Sequence, residues 1–132
     1  MEEHWRWRLR MARHLASELD ASKFGVVALY VFGSTKNANA GPGSDIDLMV
    51  HFRGTSQQER ELRTWLESWS RRLAEMNFQR TGIPSEGLLD IHWVTDADIE
   101  KKTSYTVKIG AITDPAWPLP LKNTDLNREP AR

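Results

Sequence analysis

The stretch from Val26 to Phe32 constrains the fold of this chain more than any other feature of the sequence. Its seven residues, VVALYVF, are rich in β-branched and aromatic side chains and lie between Gly25 and Gly33. A short continuous run of this kind is typical of a strand buried on both faces, which requires a sheet that is covered by helices. At 132 residues the chain has room for one such domain. We therefore expect an α/β fold.

Helical and strand patterns alternate around this run. Apolar residues recur at steps of three and four across the first twenty residues and over residues 56–78, which predicts two amphipathic helices. Apolar and polar residues alternate over residues 45–52 and 88–94, which predicts two further strands. Together these elements predict a small mixed β-sheet flanked by helices.

The end of the chain differs in composition from the rest. A short helix is expected to begin near Asp96, and residues 105–109 suggest an edge strand. From Asp114 onward the sequence carries four of its six prolines. We expect residues 1–113 to form the α/β domain and residues 114–132 to form an extended, partly disordered C-terminal tail.

Composition and charge exclude several classes of protein. Lys plus Arg and Asp plus Glu both total 18, and this neutral balance makes a nucleic-acid partner unlikely. The absence of cysteine excludes a disulfide framework, a Cys-ligated zinc site and a thiol nucleophile. No apolar run approaches the roughly 20 residues of a membrane helix, and the charged N-terminus is unlike a secretory signal. We therefore expect a cytoplasmic protein without a membrane partner.

Three carboxylates stand where burial alone would place apolar side chains. Asp45 and Asp47 are two residues apart on one predicted strand, so both project from the same face, within about 7 Å of each other. Asp90 lies in the middle of a later strand, where an acid is disfavoured. If the two strands are neighbours, the three side chains converge. Hard oxygen ligands in such a patch suit two Mg²⁺ ions about 3.5–4 Å apart.

Gly33 and Ser34 follow directly on the apolar strand. A glycine at this place lets backbone N–H groups approach a phosphate closely, and the hydroxyl beside it can bond a phosphate oxygen. Together with the acids, this pair favours phosphoryl or nucleotidyl transfer. Two other phosphate motifs do not match, because the sequence lacks the frame of a P-loop and the third glycine of a dinucleotide fingerprint.

In order and spacing, these residues resemble the nucleotidyltransferase superfamily that includes DNA polymerase β. The resemblance rests on Phe32-Gly33-Ser34, ten further residues, Asp45-Ile46-Asp47-Leu48, and Asp90 as the third acid. It covers about residues 24–95 and is closest to the minimal nucleotidyltransferases, which contain little beyond the catalytic core. The segment Thr35–Ala38 departs from the family, which often has Arg or Gly after the Gly-Ser pair. Lys36 is our candidate for the missing positive charge.

The resemblance implies a mechanism and a substrate. Asp45, Asp47 and Asp90 would be the catalytic residues and would hold two Mg²⁺ ions, with Asp90 also accepting the proton of the acceptor hydroxyl. Gly33, Ser34 and Lys36 would bind the phosphates of a nucleoside triphosphate. The reaction implied is transfer of a nucleoside monophosphate, with AMP from ATP as our preferred case, to a hydroxyl.

The resemblance also bears on partners. Larger relatives carry a helical domain for the acceptor, and nothing of that size follows Val94. We therefore expect the acceptor to come from a partner protein or from a second subunit. Minimal relatives often pair with a small helical HEPN-like protein as a toxin–antitoxin couple, which favours AMPylation of such a partner.

Two other functions remain open at this point. A non-catalytic module that binds a nucleotide or a partner would explain the altered segment Thr35–Ala38. A small-molecule adenylyltransferase would need a pocket that a chain of this length can form only as a dimer.

Other conspicuous side chains have plainer interpretations. His51 and His92 share the acidic face of their strands and are interpreted as hydrogen-bond partners of the acids rather than as ligands, and a zinc site is not expected. Trp65 and Trp69 are interpreted as core residues. The arginines of the first helix are interpreted as a solvated basic face; they are Arg6, Arg8, Arg10 and Arg13.

Overall fold

The computed structural model describes residues 2–111 and 114–122. The chain begins with two helices, α1 (His4–Glu18) and the single turn α2 (Ala21–Phe24), and then enters the first strand. The remaining elements follow in the order β1 (Val26–Phe32), α3 (Gly33–Lys36), β2 (Ile46–Phe52), α4 (Ser56–Thr81), β3 (Leu89–Val94), α5 (Asp96–Lys101), a 3₁₀ helix (Ser104–Lys108) and β4 (Trp117–Pro118).

The strands form one mixed sheet in the order β3-β2-β1-β4. β1 pairs antiparallel with β2 and with β4, whereas β2 pairs parallel with β3. The parallel pair requires a crossover, and α4 provides it. The predicted small mixed sheet flanked by helices is therefore confirmed.

The main core lies between the sheet and the helices α1 and α4. Ile46, Leu48 and Val50 point into it from β2 and are fully buried, as the alternation predicts. Trp69 is buried in this core and Trp65 packs against it, so the interpretation of both as core residues is confirmed. None of the described helices is both long and apolar enough to cross a membrane.

A smaller cluster covers the opposite face of the sheet. Phe32, Met49, Val94 and Ala116 are buried there, with three partly buried residues around them. Since Asp47 precedes Met49 on the same face of β2, the acids emerge beside this second cluster. The sheet is thus covered on both faces, as the run at Val26–Phe32 predicts.

Two expectations about the end of the chain differ from the structure. The predicted edge strand over residues 105–109 is wrong, because a 3₁₀ helix occupies residues 104–108. The place beside β1 is taken by β4, and Leu119 and Leu121 of the predicted tail are buried in the main core. Residues 114–122 are therefore packed on the domain, and residues 123–132 lie outside the described residues.

The basic face of α1 also differs from the expectation. Arg6 and Arg10 are exposed and form ion pairs with Glu3 and Glu2. Arg8, in contrast, has no exposed surface, so its assignment to a solvated face is wrong. A sequence pattern shows which face a charged residue occupies, but it does not show the acceptors that the fold brings to it.

Candidate active site

The register of the sheet brings two of the predicted acids side by side. Asp47 on β2 is paired with Asp90 on β3 in the parallel ladder. On its other side Asp47 is paired with Phe32, the last residue of β1, so that Gly33 follows at the same end of the sheet. The convergence of Asp47, Asp90 and the Gly-Ser turn therefore follows from strand pairing alone.

Gly33 allows the backbone of the Gly-Ser turn to lie close to the side chain of Asp47. Its φ of +72° lies in the left-handed region that side chains disfavour. A Cβ atom at this position would overlap the carboxylate of Asp47, whose Cγ lies 3.1 Å from the place the Cβ would take. The backbone of the Gly-Ser turn and the acid thus touch only because residue 33 has no side chain.

His92 completes a group of three side chains that could hold a cation. Each of Asp47, Asp90 and His92 offers one ligand atom, and these atoms lie within 4.8 Å of one another. The Nε2 atom of His92 is 3.3 Å from Oδ2 of Asp90 and 3.7 Å from Oδ1 of Asp47. That nitrogen is buried and has no hydrogen-bond partner.

Burial and mutual repulsion raise the pKa of Asp47 on β2 and of Asp45 immediately before it. Burial, a hydrogen bond with Asp90 and the charge of Asp90 together raise the pKa of Asp47 from 3.8 to about 6, with burial the largest cause. The pKa of Asp45 is also raised, first by burial and then by the charge of Asp90. Negative charge on these carboxylates is therefore unfavourable unless a cation neutralises it.

Asp45 is placed by a buried network below the loop that precedes β2. Arg8 donates from Nε to the carbonyl oxygen of Ser44 at 2.8 Å and from Nη2 to that of Pro42 at 3.0 Å. Asn77 on α4 accepts from Arg8 at 3.0 Å and donates to Pro42 at 2.9 Å. Two side chains from two helices thus hold the backbone immediately before Asp45.

The predicted phosphate-binding residues differ in their surroundings. Ser34 lies on α3 beside Gly33, at the end of the sheet that holds the acids. Lys36 is buried, and its Nζ forms an ion pair with Asp114 at 2.8 Å and lies 5.7 Å from the ring of Trp117. Asp114 also forms an ion pair with Lys108 at 2.6 Å, so its charge is shared between the two lysines.

His51 lies away from the acid patch, at the other end of β2. Its Nε2 is 2.7 Å from Oδ1 of Asp96, which also accepts two hydrogen bonds from Arg53. The guanidinium of Arg53 and the imidazole hold the pKa of Asp96 well below its usual range. His51 therefore supports the turn into α5 instead of the acids, which corrects its interpretation.

Sequence reasoning missed or misassigned four residues of the site. It interpreted His92 as a supporting partner, whereas the structure gives it the distances of a ligand. Tyr105 packs against the rings of His92 and Phe32, with ring centres 4.6 Å and 5.1 Å away. Arg8 and Asn77 could not be connected to Asp45 by any local pattern, since the link depends on how α1 and α4 pack.

The donors of the site suit a divalent cation. Carboxylate oxygens are the preferred ligands of Mg²⁺, and the buried Nε2 of His92 lacks a partner that an ion or its bound water would supply. Asp47 and Asp90 would hold such an ion, whereas Asp45 lies immediately before β2 and outside this group of three side chains. The residues present therefore fit the metal that the resemblance implies.

A mixed sheet that carries a Gly-Ser turn and acids on two neighbouring strands at one end defines a nucleotidyltransferase fold. Residues 15–79 match the sequence model of the family described as Nucleotidyltransferase domain. This part of the chain is similar to that family, whose general chemistry is transfer of a nucleoside monophosphate from a nucleoside triphosphate. The match includes Gly33, Ser34, Asp45 and Asp47 and ends before Asp90, so the place of Asp90 rests on the sheet register.

Similarity to individual proteins is weak. No curated protein sequence matches the chain significantly. One solved structure with some similarity is that of a "putative nucleotidyltransferase" from Sulfolobus solfataricus, with 16% identity over 74% of this chain and 75% of that chain and a TM-score of 0.41.

Proposed function

We propose that the protein is a Mg²⁺-dependent nucleotidyltransferase that moves a nucleoside monophosphate, AMP from ATP in the preferred case, to a hydroxyl of a partner protein. The observation that carries the proposal is the juxtaposition of Asp47, Asp90 and His92 beside the Gly-Ser turn at Gly33. The acids supply ligands for a cation, and the turn supplies a close backbone approach for phosphate. The two are in van der Waals contact through Gly33 and Asp47.

Each residue has a defined task in this proposal. Asp45, Asp47 and Asp90 would hold two Mg²⁺ ions, which when bound would neutralise the triphosphate and lower the pKa of the acceptor hydroxyl. Gly33 and Ser34 hold the terminal phosphates so that pyrophosphate leaves in line with the attack. Asp90, whose side chain is 51% exposed, is accessible to the acceptor and takes its proton.

The acceptor is proposed to come from another protein. The described residues are occupied by one sheet and the helices that cover it, which leaves no separate acceptor-binding domain among them. A HEPN-like helical partner, in a toxin–antitoxin couple, is the proposed acceptor, and the cytoplasm is the proposed location. Both rest on the resemblance to minimal nucleotidyltransferases.

Labelled ATP distinguishes the proposal from other phosphate chemistry. Incubation with Mg²⁺ and the candidate partner should transfer label from the α-phosphate of ATP, and no label from the γ-phosphate, with release of pyrophosphate. Asp47→Asn should abolish transfer, whereas Glu86→Gln, an acid-to-amide change at an exposed site on the loop before β3, should not. Transfer of γ-label, or equal transfer by Asp47→Asn, would refute the proposal.

One observation favours a second candidate, a module that binds a partner without catalysis. The Nζ atom of Lys36 is buried and already forms an ion pair with Asp114, which disfavours its use in binding a triphosphate. Titration calorimetry separates the two functions. Binding of ATP that requires Mg²⁺ and is lost in Asp47→Asn supports the enzyme, whereas partner binding that is indifferent to Mg²⁺ and to Asp47→Asn supports the module.

A further inference from the structure

The two edges of the sheet are protected very differently. β4 closes one edge with two residues, one of which is Pro118. β3 forms the other edge with six residues, and neither proline nor lysine occurs in its sequence LDIHWV. Edge strands normally carry such residues, because unpaired N–H and C=O groups invite another strand to bind. Within residues 2–111 and 114–122, no strand pairs with the outer side of β3.

The register shows which backbone groups of β3 face outward. The N–H of Ile46 donates to the carbonyl oxygen of Leu88 at 2.8 Å, so the even-numbered residues of β3 direct their backbone groups toward β2. The odd-numbered residues Leu89, Ile91 and Trp93 direct theirs outward. The N–H of Leu89 donates to Oγ of Ser70, which leaves Ile91 and Trp93 as the open donors of this edge.

The side chains of the same three residues leave an apolar groove beside the edge. Leu89, Ile91 and Trp93 are only partly buried, and they line an open groove together with α4, which contributes Arg63, Leu66, Glu67 and Ser70. Arg63 lies over the ring of Trp93 at 4.3 Å. An added strand would therefore gain backbone hydrogen bonds and cover apolar surface at the same time.

We propose that a second copy of this chain occupies the edge, with the two β3 strands antiparallel across a two-fold axis at Ile91. This register makes Ile91 a hydrogen-bonded pair with its own copy, as its outward N–H and C=O require. It places Leu89 opposite Trp93 of the partner subunit. It also places Asp90 opposite His92 of the partner subunit, so that unlike groups face each other in both directions.

The side chains of Asp90 and His92 favour this register over its neighbours. An axis at Asp90 would place the two Asp90 carboxylates directly opposite each other, which is destabilising. An axis at His92 would oppose the two imidazoles and place Asp90 opposite Val94 of the partner subunit. Only the axis at Ile91 gives each Asp90 a histidine as its cross-strand neighbour.

The pairing would join the two candidate active sites. Asp90 and His92 lie on the site face of β3, so the partner's His92 would stand next to the acid patch of the first copy. The two sheets would become one continuous sheet with both patches on the same face. This inference rests on the sheet edge and does not depend on the reaction that the site performs.

The mass of the protein in solution tests the pairing. Size-exclusion chromatography with light scattering should give twice the chain mass of 15.2 kDa at micromolar to millimolar concentration. Ile91→Pro should return the mass to that of the monomer, because proline removes an outward N–H that the pairing with β2 does not use. A wild-type protein that stays monomeric throughout this range overturns the proposal.

A cross-link tests the register itself and does not depend on how Ile91→Pro folds. The chain has no cysteine, so Ile91→Cys introduces a single thiol. Cα atoms in a hydrogen-bonded antiparallel pair are about 5.5 Å apart, within the range of a disulfide. Oxidation should give a covalent dimer with Ile91→Cys and not with Val27→Cys, an exposed strand position of β1. Equal cross-linking of the two variants contradicts the proposed axis.

Discussion

Asp47→Asn should make the protein more stable at neutral pH in the absence of divalent cations. Asp47 is only 26% exposed, and burial and the nearby Asp90 raise its pKa from 3.8 to about 6. The charged form is therefore disfavoured in the folded protein relative to the unfolded chain. Removing the charge removes this penalty.

The size of the effect follows from the shift in pKa. One pKa unit corresponds to about 1.4 kcal/mol, so the rise from 3.8 to about 6 sets an upper bound of about 3 kcal/mol. Asparagine still buries a polar amide, and the cost of that burial offsets part of the increase in stability. We expect Asp47→Asn to raise the free energy of unfolding by about 1–3 kcal/mol at pH 7.

The sign of the pH dependence provides a second check. Between pH 4 and pH 6 folded wild-type protein holds a proton on Asp47 that the unfolded chain has released. Asp47 therefore lowers the stability of the wild type as the pH rises through this window, and the full penalty is present above it. The advantage of Asp47→Asn should be near zero at pH 4 and complete at pH 7.

Urea unfolding in EDTA measures these differences. Asp96→Asn is the matched control, since Arg53 and His51 hold the pKa of Asp96 below its usual range, and this variant should be less stable at pH 7. Mg²⁺ should then stabilise the wild type and leave Asp47→Asn unchanged. If Asp47→Asn is less stable than the wild type at pH 7 in EDTA, the argument from burial of this carboxylate fails.

Three further variants test the packing around the site. Gly33→Ala should lower the free energy of unfolding by about 1–2 kcal/mol. Because the added Cβ displaces the carboxylate of Asp47, Mg²⁺ should no longer stabilise this variant in thermal melts. Unchanged stabilisation by Mg²⁺ would contradict this. Arg8→Met should lose about 2–3 kcal/mol in urea unfolding, since it removes the donors to the carbonyl oxygens of Ser44 and Pro42 and to Oδ1 of the buried Asn77, and a neutral result would refute the role of the network. Leu119→Ala should lose about 2–4 kcal/mol if this residue belongs to the core, whereas no loss would mean that the segment is not packed.

The sequence predicts the elements whose periodicity is local. The apolar run of β1, the alternation of β2 and the long stripe of α4 each express burial through spacing, and the structure confirms all three. The approach of Asp90 to Asp47 was also predictable, because a parallel crossover through α4 places β3 beside β2. For these elements the burial that determines the structure is expressed in the spacing of residues close together in the sequence.

The parts that sequence reasoning missed depend on tertiary packing. Trp117 and Pro118 read as part of a tail because prolines are rare in strands, yet a two-residue edge strand tolerates them. The sequence assigns Arg8 to a solvated basic face because several arginines on one helix usually form such a face. Its acceptors come from a loop and from Asn77, which are far away in sequence and are brought to it by the packing of α1 on α4.

The energetics of Asp47 argue for function independently of any motif. Ile46 and Leu48 on either side of it are fully buried in the main core, and Met49 is buried in the second cluster. An apolar side chain at residue 47 would extend that second cluster and carry no charge penalty. Gly33 compounds the cost, since it adopts a left-handed conformation that leaves room for this carboxylate. Gly33 and Asp47 are each unfavourable for folding, and each fits its place only because of the other. A binding site requires such a pair, whereas a core that serves folding alone does not.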